Sequence, residues 1–234
     1  VRGFGFTNTA YVINGQPVND MENGRVYWSN WMGLIDLTSS VQIQRGLGST
    51  SLAVPSAGGT VSVNTRAAEV DPGSGIKMSI GDNSYQKFTA FHNTGVNELG
   101  WSSSFLLGFW QGDGWRNGMQ GEGTTYAFSV GYTPRGGDHE FNFSLIGAGQ
   151  WHHQAYYGTQ LQDYLDYGPI QGDDYRKFNA LYGDYQGEEF SILRNYYNKP
   201  LATFNWDWEI SSRVTLATSL YGSAGRGGGT GLRG

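Results

Sequence analysis

From residue 75 onward, apolar and polar residues alternate along the chain with a period of two. Successive side chains of a β-strand point to opposite faces, so each run predicts a strand with one apolar and one polar face. Together the runs predict a β-sheet. Their apolar positions are Ile76, Met78 and Ile80; Trp101, Phe105, Leu107 and Phe109; Tyr126, Phe128, Val130 and Tyr132; Phe141, Phe143 and Leu145; Phe204, Trp206, Trp208 and Ile210; Val214, Leu216 and Leu220.

The connections between these strands help to decide between two architectures. A soluble β-sandwich buries the apolar face, whereas a membrane barrel turns it toward lipid and keeps polar groups in the lumen. After the first pair, short and long connections alternate, and the longest runs from 151 to 199. Outer-membrane barrels have tight turns at one end and long external loops at the other. The pattern favours the barrel, and a soluble sandwich that binds carbohydrate stays open as an alternative.

Residues 1–70 follow a different pattern, of short strand-like runs with one helix among them. Asn14-Gly15 is a strong turn signal directly after the run Tyr11-Val12-Ile13. The stretch 32–40 predicts one short helix, and 41–44 predicts a strand after it. The region is therefore predicted to be a small mixed α/β unit, joined to the strand-rich remainder by a linker at 69–75.

Composition narrows the class of protein. Of the 234 residues, 15% are aromatic and 37 are glycine, which argues against disorder and fits an all-β protein with many turns. The absence of cysteine excludes disulfides and thiolate chemistry, and the net charge of −5 argues against nucleic acid as a partner. No apolar run approaches the about 18 residues of a transmembrane helix. The two ends, without a signal peptide, lead us to expect a piece of a longer protein.

Four motifs of the first region resemble, in order and spacing, those of the plug domain of TonB-dependent outer-membrane receptors. They are Arg2-Gly3, a strand that ends in Asn14-Gly15, a strand that ends in Arg45-Gly46, and Gly58-Gly59 before a strand that ends in Thr65. Asn14 stands where the family usually has Asp, which preserves the turn. Gln42 replaces a usual Glu, Leu47 a common Pro, and Leu52-Ala53 a frequent Tyr-Gly.

The resemblance implies a mainly β fold, a transmembrane antiparallel β-barrel with a small α/β plug domain inside its lumen. Residues 1–70 would be the C-terminal part of the plug. Residues 71–234 would be the N-terminal strands and loops of the barrel, roughly seven of the about 22 strands of such receptors. The insert at 19–31 is more similar to receptors of the Bacteroidetes type than to enterobacterial ones.

The resemblance also implies a function, the TonB-dependent active import of a nutrient across the bacterial outer membrane, with the plug as gate. The cargo would be an iron chelate, an oligosaccharide or a peptide. Expected partners are a TonB-type energising protein, reached through a missing N-terminal region, outer-membrane lipid and, as an option, a surface lipoprotein. No enzymatic activity, cofactor, metal or nucleic acid is expected. An alternative is a receptor-like subunit of a larger outer-membrane assembly.

Two groups of residues are candidates for the functional site. The motif residues Arg2, Gly3, Asn14, Gly15, Arg45, Gly46, Gly58 and Gly59 would shape and gate the plug, and the resemblance implies that Arg2 and Arg45 meet barrel carboxylates. Candidate ligand contacts are Arg25, Tyr27, Trp28 and Trp31 in the first region and Tyr156, Tyr157, Tyr164 and Tyr167 in the longest loop. Tyrosine offers an apolar face with a polar tip, which suits sugars, peptides and proteins. Packing of these aromatics against the barrel wall or against the loop itself is the alternative.

Three further patterns do not support a chemical site. His152-His153 with Asp163 and Asp166 lacks metal-ligand spacing, because adjacent residues of an extended segment point to opposite sides. The glycine-rich stretch 225–231 lacks the Gly-Lys-Ser/Thr ending of a phosphate loop and is expected to be a mobile external loop. The carboxylate pairs Asp173-Asp174 and Glu188-Glu189 show neither the separation nor the burial of a glycosidase pair.

Overall fold

The computed structural model describes residues 5–46, 57–156 and 158–231. Three residues predicted for the site, Arg2, Gly3 and Tyr157, lie outside the described part of the chain, as do Leu47 and Leu52-Ala53. The described residues form a four-stranded sheet, a nine-stranded sheet and a separate two-stranded hairpin. The fold is mainly β and its large sheet is antiparallel, as predicted.

The N-terminal residues form a small mixed sheet with strand order β2-β1-β4-β3, in which only the central pair β1 and β4 is parallel. Asn14 and Gly15 both have positive φ, 49° and 87°, which is the geometry of the predicted tight turn. The predicted helix at 32–40 is shorter than expected, because Gly33 is left-handed and Thr38 already extended. The elements are β1 (Thr9–Ile13), β2 (Gln16–Pro17), α1 (Leu34–Leu37), β3 (Ser40–Arg45) and β4 (Gly59–Asn64), with 3-10 turns at Phe6–Asn8, Trp28–Trp31 and Ala67–Glu69. We call the described residues up to 72 the small unit.

The large sheet begins directly after the small unit and runs as a meander, in the order β14-β13-β9-β8-β7-β6-β5. Each alternating run of the sequence forms one of its strands. Its strands are β5 (Gly73–Ile80), β6 (Gln86–Asn93), β7 (Trp101–Gly112), β8 (Gly121–Tyr132), β9 (His139–His153), β13 (Leu201–Ser211) and β14 (Val214–Ser223), with β12 (Arg194–Asn198) and β15 (Arg226–Gly229) added beside β9. The turns at 94–100, 133–138 and 212–213 mark its short-turn end, and 81–85, 113–120 and 154–193 its long-loop end.

The two faces of the large sheet differ as the alternation predicts. One face exposes its aromatic side chains, for example Phe105 at 44% and Phe143 at 39%. The other face is small and polar, and the small unit covers it so closely that Ser144 is 1% and Asn142 2% exposed. A soluble sandwich would bury the apolar face instead. The soluble carbohydrate-binding alternative therefore does not describe this sheet.

The structure corrects the expected loops at the long-loop end. The glycine-rich stretch at 225–231 is not simply a loop, since β15 pairs with β12 at four positions from Asn195 to Asn198. Strand β12 in turn pairs with the end of β9, so the longest connection narrows to 154–193. That connection contains α2 (Leu161–Tyr167) and the hairpin of β10 (Tyr182–Tyr185) and β11 (Glu188–Ser191). None of the described helices is long and apolar enough to cross a membrane.

Candidate functional site

The small unit and the large sheet share one apolar cluster. Ile13, Leu34 and Val63 come from the small unit, and the large sheet supplies Leu106, Ala127, Ile146 and Leu201. All seven side chains are at most 9% exposed. At about 1.5–3 kcal/mol for each large apolar side chain, this burial is the main attraction between the two parts.

A glycine lets the small unit approach the sheet wall. Gly33 has a φ of 85°, and a Cβ atom built there would lie 2.4 Å from Cγ2 of Thr125 on β8. Both the backbone conformation and the contact therefore require a residue without a side chain. Trp31, two residues earlier, packs against the shared apolar cluster.

Beside this cluster, the predicted turn at Asn14 forms a buried polar contact with the sheet. The Asn14 amide nitrogen donates to Thr65 Oγ1 at 2.8 Å and to Thr203 Oγ1 at 3.3 Å, and its oxygen accepts from the Thr65 backbone N–H. The Asn205 amide donates to the Asn14 carbonyl at 2.9 Å. The predicted turn is thus also a link to β13.

Gly15, the residue after Asn14, lies against strand β14. With a φ of 87°, its ideal Cβ position is 3.6 Å from Cβ of Ser219 and 3.3 Å from the Ser219 hydroxyl oxygen. The remaining motif glycines act within the small unit. A Cβ at Gly59 would lie 2.3 Å from the Gln44 carbonyl oxygen, Gly46 has a φ of 81° with open space around it, and the Gly58 N–H donates to Asn8 at 2.7 Å.

Arg66 links the end of β4 to two strands of the large sheet. Its guanidinium donates to Glu140 on β9 at 2.8 Å and to Asp207 on β13 at 2.7 Å. Burial alone would lower the pKa of Arg66, but the hydrogen bond to Asp207 and the charge of Glu140 outweigh it and raise the pKa. Sequence reasoning expected Arg2 and Arg45 in this role and missed Arg66. Arg45 lies exposed on β3 and forms no ion pair within the described ranges.

A second charged contact joins helix α1 to the first two strands of the sheet. Asp36 accepts from Lys77 on β5 at 2.7 Å and from Lys87 on β6 at 3.0 Å. Burial raises the pKa of Asp36, and the two ammonium groups more than offset this, so that the pKa lies below its usual value. The carboxylate therefore stays ionised at neutral pH and keeps both contacts.

The small unit also forms one wall of a cavity of about 500 Å³ at the long-loop end, which we call the rim cavity. Gln150 on β9 donates to the Ser29 carbonyl, and this hydrogen bond holds the loop 27–31 against the sheet beside the cavity. The side chains that line the rim cavity include two cations, Lys199 and Arg226, and no carboxylate. The lining also comprises Tyr27, Ser29, Asn30, His152, Gln154, Asn195, Tyr196, Tyr197 and three glycines. Such a lining suits an anionic ligand with polar or ring-shaped groups.

A smaller cavity of about 310 Å³ shares His152 with the rim cavity. It is rich in aromatic side chains, namely Tyr85, Trp110 and Trp115, with Asp82 beside them. Sequence reasoning missed both Trp110 and Trp115, although Trp110 falls on the polar face of the alternation in β7, where a large aromatic is out of place. A large aromatic residue on the polar face was therefore the feature of the sequence that could have pointed to this cavity.

The four predicted ligand contacts of the small unit separate into different roles. Tyr27 lines the rim cavity. Trp28 packs edge to face on Tyr11, with ring centroids 5.1 Å apart, and Trp31 packs against the shared apolar cluster. Arg25 is exposed, and its carbonyl accepts from the Asp20 N–H in a turn.

The predicted contacts in the long connection mostly pack on the connection itself. Tyr164 and Tyr167 both contact the ring of Phe178, at centroid distances of 5.8 Å and 6.2 Å. Tyr156 is 56% exposed and its carbonyl accepts from Arg116. Packing is thus the observed role of Tyr164. Tyr167 also packs but remains 54% exposed, and it lines a separate cavity of the long connection.

The two adjacent histidines behave as the extended geometry predicts. His152 lies at the rim cavity and packs edge to face on Tyr197, whereas the ring of His153 contacts the Gly118 carbonyl at 3.2 Å. Across the described residues, no group of three His, Asp or Glu side chains could hold a metal ion.

Comparison with known proteins places the fold. No family model matches the chain, and no curated protein matches it. Several solved structures, however, have a similar fold. The ferric-catecholate import receptor Fiu of E. coli K12 in its open form has a TM-score of 0.67 and 16% identity over 97% of this chain. The unliganded ferric citrate transporter FecA has a TM-score of 0.65 and 15% identity over 97%. The ferripyoverdine receptor of the outer membrane of Pseudomonas aeruginosa, bound to ferripyoverdine, has a TM-score of 0.63 and 10% identity over 95%.

The chain spans about a third of the length of these structures, 33% of Fiu and 32% of FecA. All three are importers or receptors by their names, and none is named as an enzyme. The similarity to Bacteroidetes receptors stays a prediction. At identities this low the likeness concerns the fold, and the chain has the fold of a fragment of a TonB-dependent receptor.

Proposed function

We propose that residues 1–70 are the C-terminal part of a plug and residues 71–234 the first strands and loops of an outer-membrane barrel, in a receptor that imports a nutrient. The exposed aromatic face of the large sheet would contact lipid, and the covered polar face would line the lumen. A TonB-type protein, engaging the receptor from the periplasm, would supply the energy. Transport would then require the small unit to move away from the sheet.

One observation carries this proposal, the way in which the small unit covers the polar face. Its contacts combine one apolar cluster with the links of Asn14, Arg66 and Asp36, all of which end on side chains of the large sheet. A lumen within about 22 strands is wide and is plugged in transporters of this type. Neutral hydrogen bonds contribute about 0.5–1.5 kcal/mol each and hydrogen bonds to charged groups about 1.5–3 kcal/mol, so an external pull can break the polar links one after another.

The cargo class that the fold and the rim cavity support best is an anionic ferric chelate. The named neighbours import or bind ferric catecholates, ferric citrate and ferripyoverdine. In this chain Lys199 and Arg226 supply positive charge to the rim cavity, and its other polar groups are neutral hydroxyls, amides and imidazole. Oligosaccharides and peptides are tested as alternative cargoes in the same uptake assay.

A disulfide between the small unit and the sheet tests the gating directly. Gly15→Cys with Ser219→Cys is the best pair, because the two Cβ positions are 3.6 Å apart, within the about 3.5–4.5 Å of natural disulfides. In the whole receptor, the oxidised double variant should bind ferric citrate, ferric catecholate or ferripyoverdine at the cell surface like the parent. It should fail to accumulate radioactive iron inside the cell, and a reductant should restore uptake.

Two controls separate gating from damage. Gly15→Cys alone has the same strained φ of 87° and no cross-link, so it should retain uptake. Ser219→Cys alone tests the loss of the hydroxyl. Uptake at the normal rate by the locked receptor would refute plug movement and would favour the assembly subunit. If the unlocked receptor took up a glycan or a peptide but none of the iron chelates, the gating proposal would stand and the ferric cargo would be excluded.

A further inference from the structure

The net charge of the chain is concentrated in the 154–193 connection. Seven of the 20 acidic residues lie there with only two of the 15 basic residues, so this segment carries the whole net charge of −5. The remainder of the chain is neutral. The carboxylates of the segment are Asp163, Asp166, Asp173, Asp174, Asp184, Glu188 and Glu189. Within the described residues, its one ion pair joins Asp174 to Arg176 at 2.7 Å, so its other carboxylates have no cationic partner there.

Large apolar side chains are exposed among these carboxylates. Ile170 is 79%, Leu161 73% and Leu165 50% exposed, and the hairpin adds Tyr185 at 61% and Phe190 at 50%. Exposed apolar residues on this scale and in one region mark interaction sites more often than plain surface. Tyr185 and Phe190 also pack together, with ring centroids 5.7 Å apart, so the hairpin presents one aromatic face.

Two adjoining cavities connect the helix to the hairpin. The first, of about 480 Å³, is lined by α2 and the following turn through Asp163, Tyr167 and Ile170, and Phe178 also lines it. The second, of about 290 Å³, includes Tyr185 and Phe190 of the hairpin. Both are lined by Ala180 and Tyr182, so they adjoin each other, and we call them together the groove. The lining is mostly apolar and aromatic, with one carboxylate in each cavity, Asp163 in the first and Asp184 in the second.

Hydrogen bonds hold this groove in a fixed shape. Asn179 is fully buried, and its amide donates to the Asn117 carbonyl while its oxygen accepts from the Leu181 N–H. Gln171 donates to the carbonyl of Tyr182 at 2.7 Å and accepts from the Asn179 N–H at 3.0 Å. The bond to Asn117 anchors the groove to the connection between β7 and β8. A preformed groove loses less conformational entropy on binding than a flexible loop.

We propose that this groove, formed by α2, residues 168–182 and the β10–β11 hairpin, is a docking surface for a basic protein partner. A segment that alternates lysine or arginine with apolar residues matches it, since its apolar side chains fill the two cavities while its cations meet the carboxylates. The surface is separate from the rim cavity and shares no lining residue with it. The proposal requires an accessible groove and stands whether or not the receptor imports iron.

Binding of a designed probe tests the proposal on the whole receptor in lipid nanodiscs. The probe is a labelled peptide in which lysine alternates with leucine, and companion peptides have serine for leucine or glutamate for lysine. The lysine–leucine peptide should bind and should weaken as salt rises. The variant Glu188→Gln should weaken it about threefold, because Glu188 lies on the same hairpin face as Tyr185 and Phe190 and one exposed charge pair is removed. The matched variant Asp113→Asn, at an exposed carboxylate in the connection between β7 and β8, should leave the affinity unchanged.

A second pair of variants tests the apolar part of the groove. Ile170→Ser should weaken binding by about tenfold, as expected for one large apolar side chain, whereas Ile80→Ser, at the same 79% exposure on β5, should not. The proposal would be overturned if, in both tests, the control variant weakened binding as much as the groove variant. It would also be overturned if the lysine–serine peptide bound as tightly as the lysine–leucine peptide, or if the parent receptor bound no probe. Ile170→Cys on intact cells should react with an impermeant maleimide and be protected by the probe. A lack of reaction would mean that the receptor's own loops fill the groove.

Discussion

Removal of the Arg66 guanidinium tests the link between the small unit and the large sheet. Arg66→Ala leaves Glu140 and Asp207 facing each other without their shared cation. The side chains of Arg66, Glu140 and Asp207 are 23%, 35% and 26% exposed, so the network lies between a surface and a buried ion pair. Loss of a buried partner costs about 3–5 kcal/mol, and an exposed pair contributes about 0–1 kcal/mol. We therefore expect Arg66→Ala to destabilise the small unit by about 2 kcal/mol.

The assay follows the small unit inside the intact receptor. A cysteine introduced at Ala127, which is 4% exposed beneath the small unit, should react with a maleimide only when that unit leaves the sheet. Labelling is measured across a urea series that leaves the barrel folded. With a slope of about 1 kcal/mol per molar for a unit of this size, Arg66→Ala should lower the urea midpoint by about 2 M.

Two comparisons decide whether the ion network is the cause. Arg45→Ala, on the exposed strand β3, should move the midpoint by less than about 0.5 M, as surface changes do. Glu140→Gln combined with Arg66→Ala should cost less than the sum of the two single changes, by about 1 kcal/mol, because the two residues interact directly. A shift no larger than that of Arg45→Ala, or full additivity in the cycle, would refute the reasoning.

Three further outcomes are expected. Asp36→Asn should lower the urea midpoint at pH 7. The difference from the parent should shrink as the pH falls below about 4 and vanish below the lowered pKa of Asp36, because a carboxylate with a lowered pKa contributes its full stability above the ordinary value and loses it as the pH falls through the lowered one. Gly33→Ala should destabilise by about 1 kcal/mol more than Gly46→Ala at a similar positive φ, because only the first adds a clash with Thr125, and equal costs would show that the backbone alone matters. Phe143→Arg should destabilise the folded receptor in bilayers by about 2–4 kcal/mol, measured by heat-dependent gel mobility, and a neutral result would contradict a lipid-facing side chain.

The strands of the large sheet could be predicted because the physical constraint acts at every second residue. Phe128 and Phe143 face outward and Ser129 and Ser144 inward, as the alternation requires. Strand β15 escaped prediction for the opposite reason. Its sequence Arg-Gly-Gly-Gly has no alternating side chains, and pairing with β12 alone makes it a strand.

The site was less predictable, because its contacts join residues that are far apart in the sequence. The turn at Asn14 followed from local chemistry, but its hydrogen bond to Thr203 spans 189 residues. Arg66 likewise depends on Asp207, 141 residues away, and no local pattern sets it apart from other arginines. Tyrosines in a long connection have two uses, ligand binding and packing, and only the position of Phe178 showed that Tyr164 packs.

The distant partners of Asn14 have a consequence for the order in which the protein is built. The strands of the small unit all lie within residues 9–64, so its sheet can pair without any residue of the large sheet. At about 5–20 residues per second, however, Thr203 and Ser219 follow Asn14 by roughly 10–40 s. Contacts between such remote residues form slowly, since a long loop must close first. Until then water must hydrate the Asn14 carbonyl that Asn205 and Ser219 later contact. The small unit is therefore made before the strands that seal it.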